Sequence, residues 1–446
     1  MEKTLSQSMK KTFLVLLLLS LTAAVKAQAI FQNINLAENF FAQLDSGNYS
    51  KAYAFFDTSV QEKIKVENLK TLWTQMEAKI GKFKAVDGVQ NKIKDDYQIV
   101  TLNLQFATDN QPFQLSFNKE NKIAGIFLVP KQLENAYKLP NYADTTAYTQ
   151  KLVTIKSGEF DLPAMLTLPK DSLNCPVVVL VHGSGPSDMN ESIGPNRPFE
   201  DIAVGLASKG IASLRYVKRT LIFPSAFKGA FTVKEEVLDD ASAAINFLKT
   251  VPQVNQQKIY VLGHSLGGML APRIAVLNPT IKGLILAAAP ARKLQDLAIE
   301  QNNYFNNLQT DSLKKANAAA LAANIKLLND TKLFDAKTPQ QDSVVLGLPV
   351  SYWADLNSMD QLALAKKLSQ RIFLIQGGQD FQVSTQDFAL WQKALKGKSN
   401  ADTKLYPMLN HLFVFVSSKG DNNQYAKPGN IDQTVIEDLA SWINQK

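Results

Sequence analysis

Residues 258–268 read Lys258-Ile259-Tyr260-Val261-Leu262-Gly263-His264-Ser265-Leu266-Gly267-Gly268. An apolar run ends at a serine set between glycines, and Gly268 to Val276 continues with helical spacing. The pattern predicts a strand, a tight turn and a helix, with Ser265 at the turn. Side chains at 263 and 267 would strike the strand or the helix, which is why glycine stands there. The same alternation recurs on either side. Pro176 to Val181 is a β-branched run of the kind found in a central strand buried on both faces. Gly210 to Tyr216, Gly283 to Ala288 and Arg371 to Ile375 predict further strands, after a hairpin-like start at Leu152–Ile155 and Phe160–Leu168. Helical stretches at Ala203–Lys209 and Lys234–Leu248 separate them. Alternating strands and helices predict an α/β domain over 150–446 with a mostly parallel sheet covered on both faces. Between 291 and 366 the text is Ala- and Leu-rich and helical, with no clear core strand.

The rest of the chain divides by composition. At 446 residues it exceeds one ordinary domain. Residues 33–130 predict a small α+β module. Helical spacing at Leu36–Leu44 and Val66–Ile80 gives way to three strand-like runs, Tyr97–Phe106, Phe113–Phe117 and Ile123–Val129. Its aromatics predict a core rather than a ligand box. Residues 131–149 are polar, hold Pro140, and predict a linker. Residues 1–27 carry Lys10-Lys11, a short apolar run from Phe13 to Leu21, and small residues up to Ala27. That is the layout of a secretory signal peptide, too short to span a bilayer comfortably. The expectation is export to the periplasm or the exterior, without stable membrane insertion after cleavage. The single cysteine, Cys175, forbids an intrachain disulfide and, lying far from residues 1–27, lipid attachment there. The net charge of +8 is diffuse, with no basic run that would suggest nucleic acid.

The segment Gly263-His264-Ser265-Leu266-Gly267 fits G-x-S-x-G, the nucleophile elbow of the α/β-hydrolase fold, whose triad runs Ser, then Asp or Glu, then His. Of the three histidines, His182, His264 and His411, only His411 follows Ser265. A serine hydroxyl is a weak nucleophile until a base takes its proton, the role predicted for His411. Asp380, just after the strand Arg371–Ile375, is the preferred third member. Asp355, Asp360, Asp387 and Asp402 also lie between Ser265 and His411. A tetrahedral intermediate needs two N–H donors. Leu266 is expected to supply one, and Ser184, in His182-Gly183-Ser184-Gly185, the other. Arg215, Lys218 and Arg219 are suited either to an anionic substrate group or to structural ion pairs. No H-E-x-x-H pattern occurs, so neither metal nor cofactor is expected.

Several stretches resemble α/β-hydrolase-fold carboxylesterases, especially exported bacterial esterases with a small N-terminal domain of unknown function. They are His182 to Pro186, Ile193 to Phe199, Leu214 to Thr220, Gly263 to Gly268 and Tyr406 to Phe413. The resemblance implies that Ser265, Asp380 and His411 form the triad of a serine hydrolase acting on a small-molecule acyl ester. It also implies that residues 291–366 are a helical cap. Val217 departs from it, standing where the family usually has an acid. The module at 33–130 is similar to nuclear-transport-factor-like domains. A serine peptidase or aminoacyl hydrolase of the same fold, and a non-catalytic binding protein on a hydrolase scaffold, are the competing functions.

Overall fold

The structure, a computed structural model, describes residues 33–34, 36–94, 97–129, 137–170, 172–227, 229–335, 337–338 and 344–445. The expected signal peptide at 1–27 lies outside the described residues. The chain divides into two compact units, with the boundary between Gln132 and Leu133.

In the first unit, helices at 36–45, Tyr49–Tyr53, Thr58–Gln61 and Val66–Ile80 precede an antiparallel meander. Its strands are β1 (Phe83–Lys94), β2 (Tyr97–Phe106), β3 (Asn110–Phe117) and β4 (Ile123–Leu128), in spatial order β1-β2-β3-β4. The aromatics are core residues: Phe41 meets Phe113 at 5.0 Å between ring centres, and Trp73 meets Phe106 at 5.6 Å. One strand more is present than the sequence pattern foresees. β1 carries Lys84, Asp87, Lys92 and Lys94, which hide the two-residue period. It lies at the sheet edge and pairs only with β2, a place where a polar strand is tolerated.

The second unit holds β5 (Tyr148–Ser157), β6 (Phe160–Pro169), β7 (Cys175–Val181), β8 (Ala212–Tyr216), β9 (Val254–His264) and β10 (Gly283–Ala287). Two short paired strands follow, β11 (Val344–Val345) and β12 (Leu348–Pro349), then β13 (Arg371–Gly377) and β14 (Ala401–Tyr406). Eight of these make one sheet, ordered β14-β13-β10-β9-β7-β8-β6-β5. β5 with β6 and β6 with β8 pair antiparallel; the other neighbours are parallel. Successive residues of β7 enter different cores. Val177, Val179 and Val181 face helices Asp239–Leu248, Leu266–Leu277 and Thr385–Leu395. Val178 and Leu180 face helices Pro198–Ala207 and Gln433–Asn444. A register slip of one residue would exchange the two sets, so this double burial fixes the register. Each buried Val, Leu or Ile contributes about 1.5–3 kcal/mol.

Three features extend or correct the sequence reading. β14, not foreseen, is an edge strand whose residues 402–405 are exposed, so Asp402-Thr403-Lys404 gives no apolar signal. Among the described residues, those between β10 and β13 contribute no strand to the large sheet. They form helices Leu294–Asn307, Asp311–Thr331, Val350–Asn357 and Gln361–Lys367. The stretch read as a linker at 131–149 is, from Tyr137 onward, built into the second unit. Tyr137 Oη donates to Asp201 at 2.7 Å, Tyr142 Oη donates to the Ile431 carbonyl at 2.9 Å, and β5 already begins at Tyr148. Two tyrosine rings in a polar stretch anchor it through partners far away in sequence.

Candidate active site

Every candidate residue follows the carboxyl end of a parallel strand, where ligands bind in open α/β sheets. β7 runs into His182-Gly183-Ser184, β9 into Ser265, β13 into Asp380 and β14 into the loop that carries His411.

Ser265 has φ 53° and ψ −117°, a left-handed conformation that a side chain adopts only under strain. Its N–H donates to the Ala287 carbonyl at 2.9 Å, and its own carbonyl accepts from Met269 N–H at 3.0 Å. The turn therefore hangs between β10 and the helix that starts at Leu266. The glycines are sterically required: a Cβ at Gly263 would strike the Gly267 main chain, and one at Gly267 would strike the Val181 and His182 carbonyls. Among the described residues seven non-glycine positions have positive φ, and four belong to this site: Glu191, Ser265, Ala288 and Phe413. Strain of this kind collects at functional sites.

His411 and Asp380 meet where the sequence places them. Asp380 Oδ2 lies 2.7 Å from His411 Nδ1, and both residues are buried. Three further donors fix the carboxylate: Gln376 Nε2 at 3.0 Å on Oδ2, and the Gln382 and Val383 N–H groups at 2.7 and 2.9 Å on Oδ1. The two loops touch because Gly377 and Gly378 admit the carbonyls of Leu409, Asn410 and Pro407. The competing acids are engaged elsewhere. Asp355 pairs with Arg273, Asp387 with Arg292, Asp360 caps the helix at Gln361, and Asp402 accepts from Trp442.

The predicted oxyanion donors are Leu266 and Ser184. Leu266 opens a helix, where the first N–H groups have no intrahelical acceptor. In the opposite loop the neighbours of Ser184 are occupied. Gly183 N–H donates to Glu191 Oε1 at 2.6 Å, Gly185 N–H to Glu236 Oε1 at 3.3 Å, and the Gly183 carbonyl accepts from Lys218 Nζ at 2.9 Å. Gly183 sits against the elbow, since a Cβ there would lie 3.2 Å from Ser265 Cβ.

The three basic residues in and just after β8 resolve in favour of structural pairing. Lys218 meets Glu236 at 2.6 Å, Arg219 is bonded to Asp240 and Ser157, and Arg215 donates to Asn190 and Thr167 with Glu200 at 3.9 Å. All three are buried and engaged, so none of them is free for an anionic substrate. Glu236 also accepts from Tyr352 Oη at 2.6 Å, which ties the helix Val350–Asn357 to the loop of Ser184. Val217, the departure from the family pattern, is buried and donates its N–H to the Pro163 carbonyl.

Sequence reasoning missed Glu191 and Glu236. Glu191 bridges Gly183 N–H and, at 3.0 Å, His264 Nδ1. His264 Nε2 in turn lies 2.9 Å from the His411 carbonyl. Burial opposes charge on both partners. Even so, Glu191 raises the His264 pKa above its ordinary value, and His264 holds the Glu191 carboxyl below its own. His182 is different. Burial, reinforced by the nearby Lys218 charge, lowers its pKa to about 4, and its Nε2 donates to the Asp188 carbonyl at 2.8 Å. No local pattern marks Glu191, which sits in an Asn-Glu-Ser turn 73 positions before its histidine.

A strained serine at an elbow and a hydrogen-bonded His–Asp pair, all at the carboxyl edge of a mostly parallel sheet, are the architecture of an α/β-hydrolase. Residues 176–415 match the family described as serine aminopeptidase, S33, and the chain belongs to that family of hydrolases. Residues 37–126 match a family of unknown function, DUF3887. The chain is 36% identical over 405 residues to Esterase EstD of Thermotoga maritima, covering 91% of this chain and 93% of that one. A shorter likeness, 32% over 113 residues, links it to thiohydrolase apmlB of Arthrinium phaeospermum, covering 23% of this chain and 36% of that protein. Among solved structures, Est1E from Butyrivibrio proteoclasticus aligns with a TM-score of 0.43 at 17% identity, over 66% of this chain and 99% of its own.

Proposed function

We propose that this protein is an exported serine esterase that cleaves carboxylic esters through an acyl-enzyme on Ser265. The observation that carries the reading is the strained elbow at Ser265, linked through His264 to the His411 carbonyl, with the His411 ring held by Asp380. His411 takes the Ser265 proton as Oγ attacks the ester carbonyl. Asp380 fixes the His411 tautomer with the proton on Nδ1 and stabilises the imidazolium. The Leu266 and Ser184 N–H groups receive the oxyanion. His411 then protonates the departing alcohol, and a water activated by the same base releases the acid.

The similarity to a protein named an esterase, over nearly the whole chain, favours an ester over a peptide. The residues between β10 and β13 act as a cap. Tyr304 stacks on Phe381 at 6.2 Å and Phe305 meets it at 5.5 Å, directly beside Asp380. That cluster suits an apolar wall for the acyl chain. The first unit is proposed to be dispensable for chemistry, since every candidate catalytic residue follows β7. Export rests on the signal-like residues 1–27.

The test is a screen of the purified protein against p-nitrophenyl esters of graded length and against aminoacyl amides, with fluorophosphonate labelling. Labelling lost in Ser265→Ala, with esters turned over faster than amides, supports the proposal. Equal labelling of both forms moves the nucleophile elsewhere. Faster turnover of aminoacyl amides makes the enzyme a peptidase.

A further inference from the structure

A buried glutamate–histidine pair connects the three loops that carry the proposed chemistry. Glu191 Oε1 holds the N–H of Gly183, the residue before the oxyanion donor Ser184, at 2.6 Å. Glu191 Oε2 lies 3.0 Å from Nδ1 of His264, the residue before the nucleophile, off the line of an ideal hydrogen bond. His264 Nε2 lies 2.9 Å from the carbonyl of His411, the base itself. A carbonyl only accepts, so Nε2 must donate. A carboxylate oxygen presents only lone pairs, so an unprotonated Nδ1 at 3.0 Å would face it with repulsion, and a proton on Nδ1 is favoured even without an aligned bond. With both ring nitrogens protonated, His264 would be an imidazolium.

Three further observations mark this pair as more than packing. Glu191 is 6% exposed and adopts φ 52°, a strained backbone for a long charged side chain. Phe199, Leu262, Leu412 and Phe413 line the space beside the pair, where a charge is costly unless matched. The pKa directions of the two partners agree with a charged pair, each shifted toward its ionised form. The groups that face them are the His182 ring beside Glu191, and the His411 carbonyl and Asp380 beside His264.

We propose that Glu191 and an imidazolium His264 form a positioning couple that sets the Ser184 N–H against the nucleophile elbow and the His411 loop. The couple touches no reacting atom. It holds the donor loop and the elbow at a fixed separation, so that the oxyanion, formed only in the transition state, meets two donors at once. Loss of the couple should therefore weaken transition-state binding and leave ground-state binding nearly unchanged. This inference rests on the reading of Ser265, His411 and Ser184 given above.

The test combines nitrogen-15 NMR of histidine-labelled full-length protein with kinetics on p-nitrophenyl acetate. Only three histidines are present, so one variant of each assigns the ring signals. In the wild type, His264 should show protons on both ring nitrogens at pH 7. In Glu191→Gln the amide can still hold Gly183 N–H while the counter-charge is gone. One His264 ring proton should then be lost, kcat should fall by about 100-fold as for a positioned group misplaced by about 1 Å, and KM should stay within about threefold. A wild-type His264 with one ring proton overturns the proposal, whether or not the variant folds. So does a folded Glu191→Gln variant with kcat within about twofold of wild type. A wild type that neither hydrolyses esters nor takes up fluorophosphonate instead overturns the underlying reading of Ser265, while leaving the NMR result to stand by itself.

Discussion

Asp380→Asn separates orientation of His411 from packing around it. Asp380 Oδ1 accepts from the Gln382 and Val383 N–H groups at 2.7 and 2.9 Å. Turning an amide nitrogen toward those two donors would leave all three unpaired, so the asparagine carbonyl takes that side. Its NH2 then faces His411 Nδ1, where the carboxylate oxygen stood at 2.7 Å. His411 must now accept at Nδ1 and carry its proton on Nε2, the nitrogen that should receive the Ser265 proton. The wrong tautomer costs about four orders of magnitude in kcat, or about 5 kcal/mol of transition-state stabilisation. Stability changes much less. Gln376 Nε2 loses Oδ2 but keeps the Gly377 and Val383 carbonyls at 3.1 and 2.9 Å, so the loss is on the order of 1–3 kcal/mol. The assay is steady-state hydrolysis of p-nitrophenyl acetate, with a thermal melt to confirm folding. A folded Asp380→Asn with kcat within tenfold of wild type would refute the reasoning. Neither Asp355 nor Asp387 could then step in, because each is held by an arginine.

Further expectations follow from packing and burial. His182, with its pKa lowered to about 4 by burial, binds its proton more readily when unfolded. Its contribution is therefore present above about pH 6.5 and is lost as pH falls toward 4, on the order of 3 kcal/mol; urea unfolding at pH 7 and pH 4.5 should show this slope, and His182→Asn should flatten it. A chain starting at Leu133, which keeps Tyr137 and Tyr142 in place, should retain turnover of short esters, and a folded but inactive product would give the first unit a part in the site. Tyr304→Ala and Phe305→Ala should alter the preference for acyl length by more than they alter turnover of the acetate ester, measured across a p-nitrophenyl ester series. Gly267→Ala should abolish soluble expression or activity, because its Cβ would overlap the His182 carbonyl; a folded, fully active variant would show that the elbow relaxes at no cost.

The sequence by itself determined the fold class and pointed to Ser265 and His411 as candidates. Strands β7, β9, β10 and β13 are legible because both their faces are buried, which forces unbroken apolar runs such as Pro176 to Val181. The elbow is legible because its glycines answer a local steric demand. His411 is legible because only one histidine lies downstream of Ser265. What the sequence left open was decided by contacts between residues far apart in the chain. Asp380, preferred for its place just after a strand, had rivals in Asp355, Asp387, Asp402 and Asp360 until tertiary structure engaged these four with Arg273, Arg292, Trp442 and a helix N-terminus. Lys218 and Arg219 were ambiguous until Glu236 and Asp240 closed on them. β1 and β14 escaped notice because charged residues, Lys84, Asp87, Lys92 and Lys94 in one and Asp402 and Lys404 in the other, interrupt any apolar run, which an edge position tolerates. Glu191 escaped because a buried charge leaves no periodic or compositional trace. Its place in the site exists only once β7 and β9 lie side by side and bring Gly183 against Ser265.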